Sequence, residues 1–430
     1  MGITGGHQIA IDLPVHFSKE PFYLVSMPWT RNFFLLFATR IIRLFAYGLL
    51  SVVLALYLSA IGLSEAQIGL LFTVTLAGDA GVSLWITTVA DRLGRRRMLL
   101  VGSLLMLLAG IAFLYTNNPW LLALAAIIGV MSPSGNEIGP FLSIEQASLS
   151  HIVPHAKRTH VFAWYNLVGS FATAFGALSG GWISHALQVH GATELESYRI
   201  LLFCYAIAGV LLALLFLLLT SDIEIRERQV VPNALLGLHK SRKVVFKLSG
   251  LFALDAFAGG FILQSLVAFW FHTRFGVDAG VLGSIFFGAN VLAGISALLA
   301  VPMAKRFGLV NTMVFTHIPS NVLLILVPLM PNLASAIVVL MARFAISQMD
   351  VPTRQSYVMA VVDPDERSAA SGVTAMARSV GAAASPSLSG LLFGSAALLS
   401  APFFICGGLK IVYDLLLYRE FKAVKAPEEK

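Results

Sequence analysis

Residues 90–97 read ADRLGRRR, and a worn copy, AKRFG, stands at 304–308. In 430 residues that are 57% hydrophobic and only 12% charged, an acid and four arginines in one short turn need a reason. Hydropathy supplies the setting. A soluble surface needs roughly a quarter of the chain charged, and this chain has half that, with a mean hydropathy of +0.83. Apolar runs long enough to cross a hydrocarbon core of about 30 Å stand near 32–58, 68–90, 98–116, 120–149, 160–185, 199–220, 247–272, 280–303, 310–330, 333–361, 369–394 and 400–418. Helices are expected, because each then satisfies its own backbone polar groups within lipid. The short alternating segments of a membrane barrel are absent. The expected fold class is an all-α membrane protein with twelve transmembrane helices, and ADRLGRRR closes the turn between the second and third.

The net charge of +7 is read from its placement. With the N-terminus in the cytoplasm, the inside loops and tails hold most of the 29 Lys and Arg, and the outside loops hold only Arg199 and Arg274. That is the positive-inside bias. The basic balance therefore reports topology, and nucleic acid is not an expected partner. Residues 1–30 lack the basic start and short apolar core of a cleaved signal, so both termini are expected in the cytoplasm. The expected location is a cell membrane of the bacterial inner-membrane type.

The chain also repeats itself. IGLLF at 68–72 matches LGSIF at 282–286, and Arg92-Leu-Gly94 matches Arg306-Phe-Gly308 at the same offset. Gly181 aligns with Gly390, and Gln146 and Arg158 with Gln355 and Arg367. Each half then holds six spans: a tail at 1–30, a bundle at 31–220, a charged linker at 221–246, a second bundle at 247–420 and a tail at 421–430. Two like-oriented six-helix halves are a transporter plan, with the substrate site between them near the midplane.

On these residues the sequence resembles the major facilitator superfamily. Its signature between helices two and three runs Gly-x-Leu-Ala-Asp-Arg-x-Gly-Arg-Arg; here Thr87 replaces the first Gly and Val89 the Leu, and Ala90-Asp91-Arg92-Leu-Gly94-Arg95-Arg96 keeps the rest. The resemblance covers the chain from about residue 31 on. It implies two pseudo-symmetric six-helix bundles and a cytoplasmic gate built from Asp91, Arg92, Gly94 and Arg95. Asp91 would face the start of helix eleven, near Ser368–Gly372, when the transporter opens outward. An anion at a helix N-terminus is stabilised by roughly 0.3–1 kcal/mol. The second half lacks the acid. A further signature, ending Gly-Pro-x-x-Gly-Gly in helix five of drug–proton antiporters, is matched in part by Gly-Ala-Leu-Ser-Gly-Gly at 176–181, where small residues also serve close helix packing.

Ionisable residues inside spans are costly, so they pair, face a cavity or work. Spans four and ten are interrupted at corresponding places, by Ser132-Pro133-Ser-Gly135-Asn136-Glu137-Ile-Gly139-Pro140 and by Ser347-Gln-Met-Asp350-Val-Pro352-Thr-Arg354-Gln355. Interruptions at matching places in two halves point to a binding site. The candidate substrate residues are Arg40, Arg43, Asn136, Glu137, Asp350, Arg354, Gln355 and Arg378. Asp350 and Arg354, four apart, equally suit an intrahelical pair. Candidate proton carriers are Asp79, Glu137 and Asp255. Glu145 suits a gate near the inner end of its span, and His317 suits a packed core.

No phosphate-cradling loop and no nucleophile–base set is present, so neither an enzyme nor a cofactor is expected. The expected function is secondary transport by alternating access, as a monomer in the bilayer. The favoured form is proton-coupled export of a small amphipathic compound. Transport or exchange of an organic anion held by intramembrane arginines is the alternative, and a channel or non-transporting sensor is the reading from another class.

Overall fold

A computed structural model describes residues 30–136, 141–154, 158–224, 238–363 and 366–422. Most of the expected tails and half of the expected linker lie outside the described residues, as does Glu137. Within them sixteen α-helices follow one another: α1 Arg31–Ala60, α2 Glu65–Leu93, α3 Arg95–Tyr115, α4 Pro119–Ile128, α5 Phe141–Ile152, α6 Arg158–Val189, α7 Glu194–Leu217, α8 Arg242–Gly260, α9 Gln264–Phe275, α10 Ala279–Phe307, α11 Leu309–Leu326, α12 Leu333–Ile346, α13 Asp350–Val361, α14 Arg367–Ala384, α15 Pro386–Phe393 and α16 Ala401–Phe421. Among the described residues, ten helical segments are long and apolar enough to cross a membrane, with α8–α9 and α12–α13 each taken as one segment. The two remaining expected spans are the broken pairs α4–α5 and α14–α15. Interruption in spans four and ten follows the Pro- and Gly-rich stretches. The structure adds breaks in span seven, after Gly259-Gly260, and in span eleven, at Ser385-Pro386.

Helix starts differ between the two ends of the bundle. One end carries the short connections at 61–64, 190–193 and 276–278 and is termed the hairpin end; the other carries Gly94 and Gly308 and is termed the basic end. At the hairpin end the starts of α2, α4, α7, α10 and α12 are capped by side chains close in sequence. Ser64 and Gln67 form a reciprocal capping box on α2, and Thr193 and Glu196 do so on α7. Asn118, Asp278 and Asn332 cap α4, α10 and α12. Each supplies an acceptor to N–H groups that the helix leaves unpaired.

At the basic end α2 passes to α3 through Gly94 (φ 101°), and α10 passes to α11 through Gly308 (φ 84°). A side chain is strained at such φ, so glycine is required at both turns. The acceptor at the start of α3 comes from far away. Glu224 accepts from Arg95 N at 2.7 Å and Arg96 N at 3.1 Å. Two arginines of ADRLGRRR are spent in the same place, since Arg95 Nη1 donates to Ile223 O and Arg96 Nη2 to Leu217 O, at the C-terminal end of α7.

Glu366 does the corresponding work ahead of α8. Its carboxylate accepts from the backbone N–H groups of His239, Lys240 and Ser241. Burial pushes its pKa up, but hydrogen bonds from the Ser241 side chain and these backbone groups outweigh that and hold the carboxyl at about 2, against an ordinary 4.5. A depressed folded-state pKa contributes stability that is complete above the ordinary value and is lost as pH falls through the folded one. The stability supplied by Glu366 should therefore fade between pH 4.5 and about 2. Glu366→Gln should melt earlier at neutral pH and lose that share of acid sensitivity, read as melting temperature against pH in detergent.

The halves meet along two seams, α2 against α14 and α15, and α6 against α10, with α1 against α9 between them. A Cβ built on Gly181 would stand 2.3 Å from Ala279 O and 2.7 Å from Gly283 Cα; one on Gly390 would stand 2.3 Å from Glu65 O and 2.8 Å from Gly69 Cα. The repeat pairs Gly69 with Gly283 and Gly181 with Gly390, so these are two copies of one contact related by the pseudo-two-fold axis. Both lie toward the hairpin end. On the same side of the bundle, Ser387 N donates to Thr73 Oγ1 at 2.9 Å, Gln264 Nε2 to Ser51 Oγ at 2.7 Å and Trp182 Nε1 to Ser284 Oγ at 3.0 Å. Toward the basic end, a Cβ on Gly372 of α14 or on Gly81 of α2 would meet open space. Leu104, Leu108, Leu214, Val338 and Leu391 are exposed, as suits a surface solvated by acyl chains.

Candidate functional site

Two clusters of charge are buried inside this frame. In the first half, Arg43 of α1 and Glu145 of α5 are both fully buried, with Nη1 2.9 Å from Oε1 and Nη2 2.6 Å from Oε2. Thr39 Oγ1 donates to Glu145 at 2.8 Å, and the Tyr165 hydroxyl donates to it as well. The Arg43 guanidinium also lies 4.7 Å from the Phe141 ring centroid. Its charge is met inside the protein by a two-pronged, hydrogen-bonded carboxylate, the geometry that makes a buried pair tolerable. Glu145 therefore serves as the partner of Arg43. Arg40, one turn earlier, lies over the Tyr165 ring at 4.1 Å and donates to Asn166 Oδ1 at 3.3 Å.

In the second half, Asp255 of α8 gathers three cations from three helices. Its Oδ2 accepts from Arg354 Nη1 of α13 at 3.1 Å and from Arg378 Nη1 of α14 at 3.2 Å. Its Oδ1 accepts from Lys410 Nζ of α16. Arg354 also pairs with Asp350 at 3.1 Å, so the intrahelical pair forms and is part of a larger network. Three cations face two carboxylates, which leaves one positive charge in surplus. The Asp255 side chain is 5% exposed and that of Arg378 is 35% exposed. Arg378 sits midway along α14, so its guanidinium is the cation of the cluster that opens onto free space.

The other candidates disperse. Asp79, midway along α2, accepts from Ser83 Oγ at 3.4 Å. Asn136 is exposed, and its backbone carbonyl accepts from Ser132 Oγ. Gln355 is exposed, next to the buried Arg354. Asp91 and Arg92 lie in the last turn of α2, and their side chains are outside the described residues. Gly94 and Arg95 hold the α2–α3 turn as described above.

Lys410 escaped the sequence reading, and so did Asp414 one turn later on α16. Asp414 Oδ1 lies 2.9 Å from His317 Nδ1 of α11, and its Oδ2 accepts from Asn321 Nδ2 at 3.2 Å. Their signal was there to find: a lysine and an aspartate at i and i+4 inside one apolar run. His317 is buried, as expected, but it is bound to an acid.

A cavity of about 470 Å³ lies elsewhere, at the hairpin end, lined by Trp182, His185, Asp278, Ser284, Ile337 and Met341. Across it His185 Nδ1 meets Asp278 Oδ2 at 3.3 Å and ties the two halves. It contains neither charge cluster.

The sequence model of the Major Facilitator Superfamily matches residues 36–386 and 250–430. The chain is 32% identical over 432 residues to an uncharacterized membrane protein of Saccharomyces cerevisiae, covering 93% of this chain and 96% of that one. It is 28% identical over 321 residues to a multidrug resistance protein of Serratia proteamaculans, covering 69% of this chain and 71% of that one. Among solved structures it is similar to a nucleoside transporter at a TM-score of 0.70, with 15% identity over 91% of this chain and 100% of that one.

Proposed function

The chain belongs to the Major Facilitator Superfamily, and from that premise we propose that it is a proton-coupled secondary transporter of a small organic anion. One observation carries the choice of cargo: the Asp255 cluster holds more cations than carboxylates, and its Arg378 opens onto free space. A surplus cation in a low-dielectric interior is stabilised by an incoming anion. Arg40, placed on an aromatic face in the other half, is the second cation that such a cargo would meet.

Movement follows from the seams. Backbone contacts at Gly69–Gly390 and Gly181–Gly283 close the hairpin end, while the basic end has room around Gly372 and Gly81. Rocking the halves about a midplane site exposes the site to each side in turn. The basic end is cytoplasmic in this reading, on the placement of Lys and Arg, and the protein works as a monomer in the cell membrane. The proton is carried within the buried charge of the second half, where Asp255 holds the three cations in place.

The name of the Serratia relative favours a second reading, export of an amphipathic compound. Proteoliposomes with an imposed pH step separate the two. Labelled organic acids should show saturable counterflow driven by the pH step, and organic cations should not. Arg378→Gln should raise KM for the acid about tenfold, since a charged hydrogen bond is worth about 1.5–3 kcal/mol. Counterflow of cations with Arg378 dispensable would give the case to amphipathic export. Unsaturable flux would mean a pore.

A further inference from the structure

We propose that His317 and Asp414 form a proton-binding site, and that Lys410, shared between Asp414 and Asp255, relays its state to the substrate cluster. The proposal rests on the proton-coupled anion reading above and deepens it by naming where a proton is held and how the anion site senses it.

The geometry is a buried chain of four groups across three helices. His317 is 5% exposed and Asp414 is 1% exposed, and they meet at 2.9 Å. Tyr413 stands edge-on to the imidazole, at 6.1 Å between ring centroids. Lys410 lies one turn before Asp414 on α16, a spacing at which side chains reach each other. Yet its ammonium crosses to Asp255 on α8. Lys410 thus stands within reach of two carboxylates and serves one.

The helices packed against α11 besides α16 carry Asp350 and Arg354 on α13, Arg343 on α12 and Lys305 and Arg306 on α10. Lys305 and Arg306 of α10 lie in its last turn, at the basic end. Asp350 and Arg354 hold each other. Lys410 is therefore the cation on the helix of Asp414 that is placed to change partners.

Partner choice follows from charge. With a proton on His317, the imidazolium balances Asp414 and Lys410 stays on Asp255. When His317 gives its proton up, Asp414 becomes a buried anion without a counter-charge, which is costly, and it draws Lys410 back along α16. Asp255 then keeps Arg354 and Arg378 for itself. Arg378 is held back from an incoming anion. Proton uptake at His317 and anion capture at Arg378 thus favour each other, and by linkage the effect runs equally in both directions.

The test needs no substrate. Protein carrying ¹⁵N-histidine is placed in lipid vesicles, and the His317 signal is identified by its loss in His317→Gln. Its protonation is then followed by solid-state NMR from about pH 5 to 9. Asp255→Asn, which lets Lys410 turn to Asp414, should lower the proton affinity of His317 roughly threefold or more. Lys410→Gln should raise it by a similar factor. In the Lys410→Gln background, adding Asp255→Asn should change it by less than about twofold, because the carrier of the effect is gone. Lys410→Arg, which keeps the charge, should return the wild-type midpoint and guards against a folding defect in Lys410→Gln.

An Asp255 effect undiminished without Lys410 would mean a direct field and overturn the relay. A His317 that titrates in none of these variants would make the pair purely structural. If organic acids fail as cargo while the NMR pattern holds, the proton site stands and the anion reading falls.

Discussion

Asp255→Ala should abolish transport and lower stability in detergent by about 3–5 kcal/mol, the range found when one partner of a buried charge pair is removed. The reason is the number of groups that depend on it. Arg354, Arg378 and Lys410 all donate to this carboxylate, and without it Arg354 and Arg378 share Asp350 while Lys410 is left to Asp414. Like charges at this separation repel strongly where the dielectric constant is low. Asp255→Asn keeps the shape and one acceptor, so it isolates the charge; it should retain the fold better than Ala and still lose transport. The decisive variant is Asp255→Asn with Lys410→Met. That pair removes one charge of each sign and should recover most of the lost stability while transport stays absent. Melting temperature and proteoliposome counterflow read the two effects separately. A fully stable Asp255→Ala would show that the cations have other counter-charges and that the cluster is not the electrostatic centre of the second half.

Gly390→Ala and Gly181→Ala should each push the hairpin end open. A Cβ at either site would stand 2.3 Å from a backbone carbonyl oxygen of the opposite half, Glu65 O or Ala279 O. A backbone atom cannot turn aside as a flexible side chain can, so the halves must separate. Overpacking costs about 1–3 kcal/mol, and charged to one state alone that moves the equilibrium roughly 5- to 150-fold. The two sites lie on separate seams, so their effects should add in the double variant. Nitroxide labels at Ala60 and Thr273, at the exposed hairpin-end termini of α1 and α9, give the distance. Electron–electron resonance should show a longer separation in each variant, longest in the double, and transport should fall because a cycle needs the closed state. Unchanged distances would mean that these contacts follow closure and do not limit it.

Much of this architecture is legible in the residue order, because hydropathy and glycine act locally. Apolar runs locate the helices, and two glycines at corresponding places predict the α2–α3 and α10–α11 turns, where both adopt positive φ. Even the hairpin-end contacts are foreshadowed, since Gly181 and Gly390 align in the repeat. The glycines of 176–181 prove to be packing surface: a Cβ on Gly176 or Gly180 would strike Phe45 O or Leu49 O of α1. What stays hidden depends on distance in sequence. Nothing near Glu145 announces that Arg43, 102 positions away, will take both its oxygens. Lys410 and Asp414 are hidden differently. Strongly apolar neighbours mask their charges in any running average, so α16 reads as plain span. The span-seven break at 261–263 has no proline to mark it.

The contrast between the two ends of the bundle also bears on the order in which the chain is completed. The capped starts at the hairpin end are closed by residues no more than three positions away, so those turns can form as soon as they emerge from the ribosome. The starts of α3 and α8 wait much longer, because Glu224 lies 129 residues after Arg95 and Glu366 lies 127 after His239. Chains fold as they are made, N-terminal part first. Each half is therefore sealed at its basic end only when its late glutamate arrives, and a nascent chain halted before that residue carries bare amide donors where a chaperone or a quality-control protease can find them.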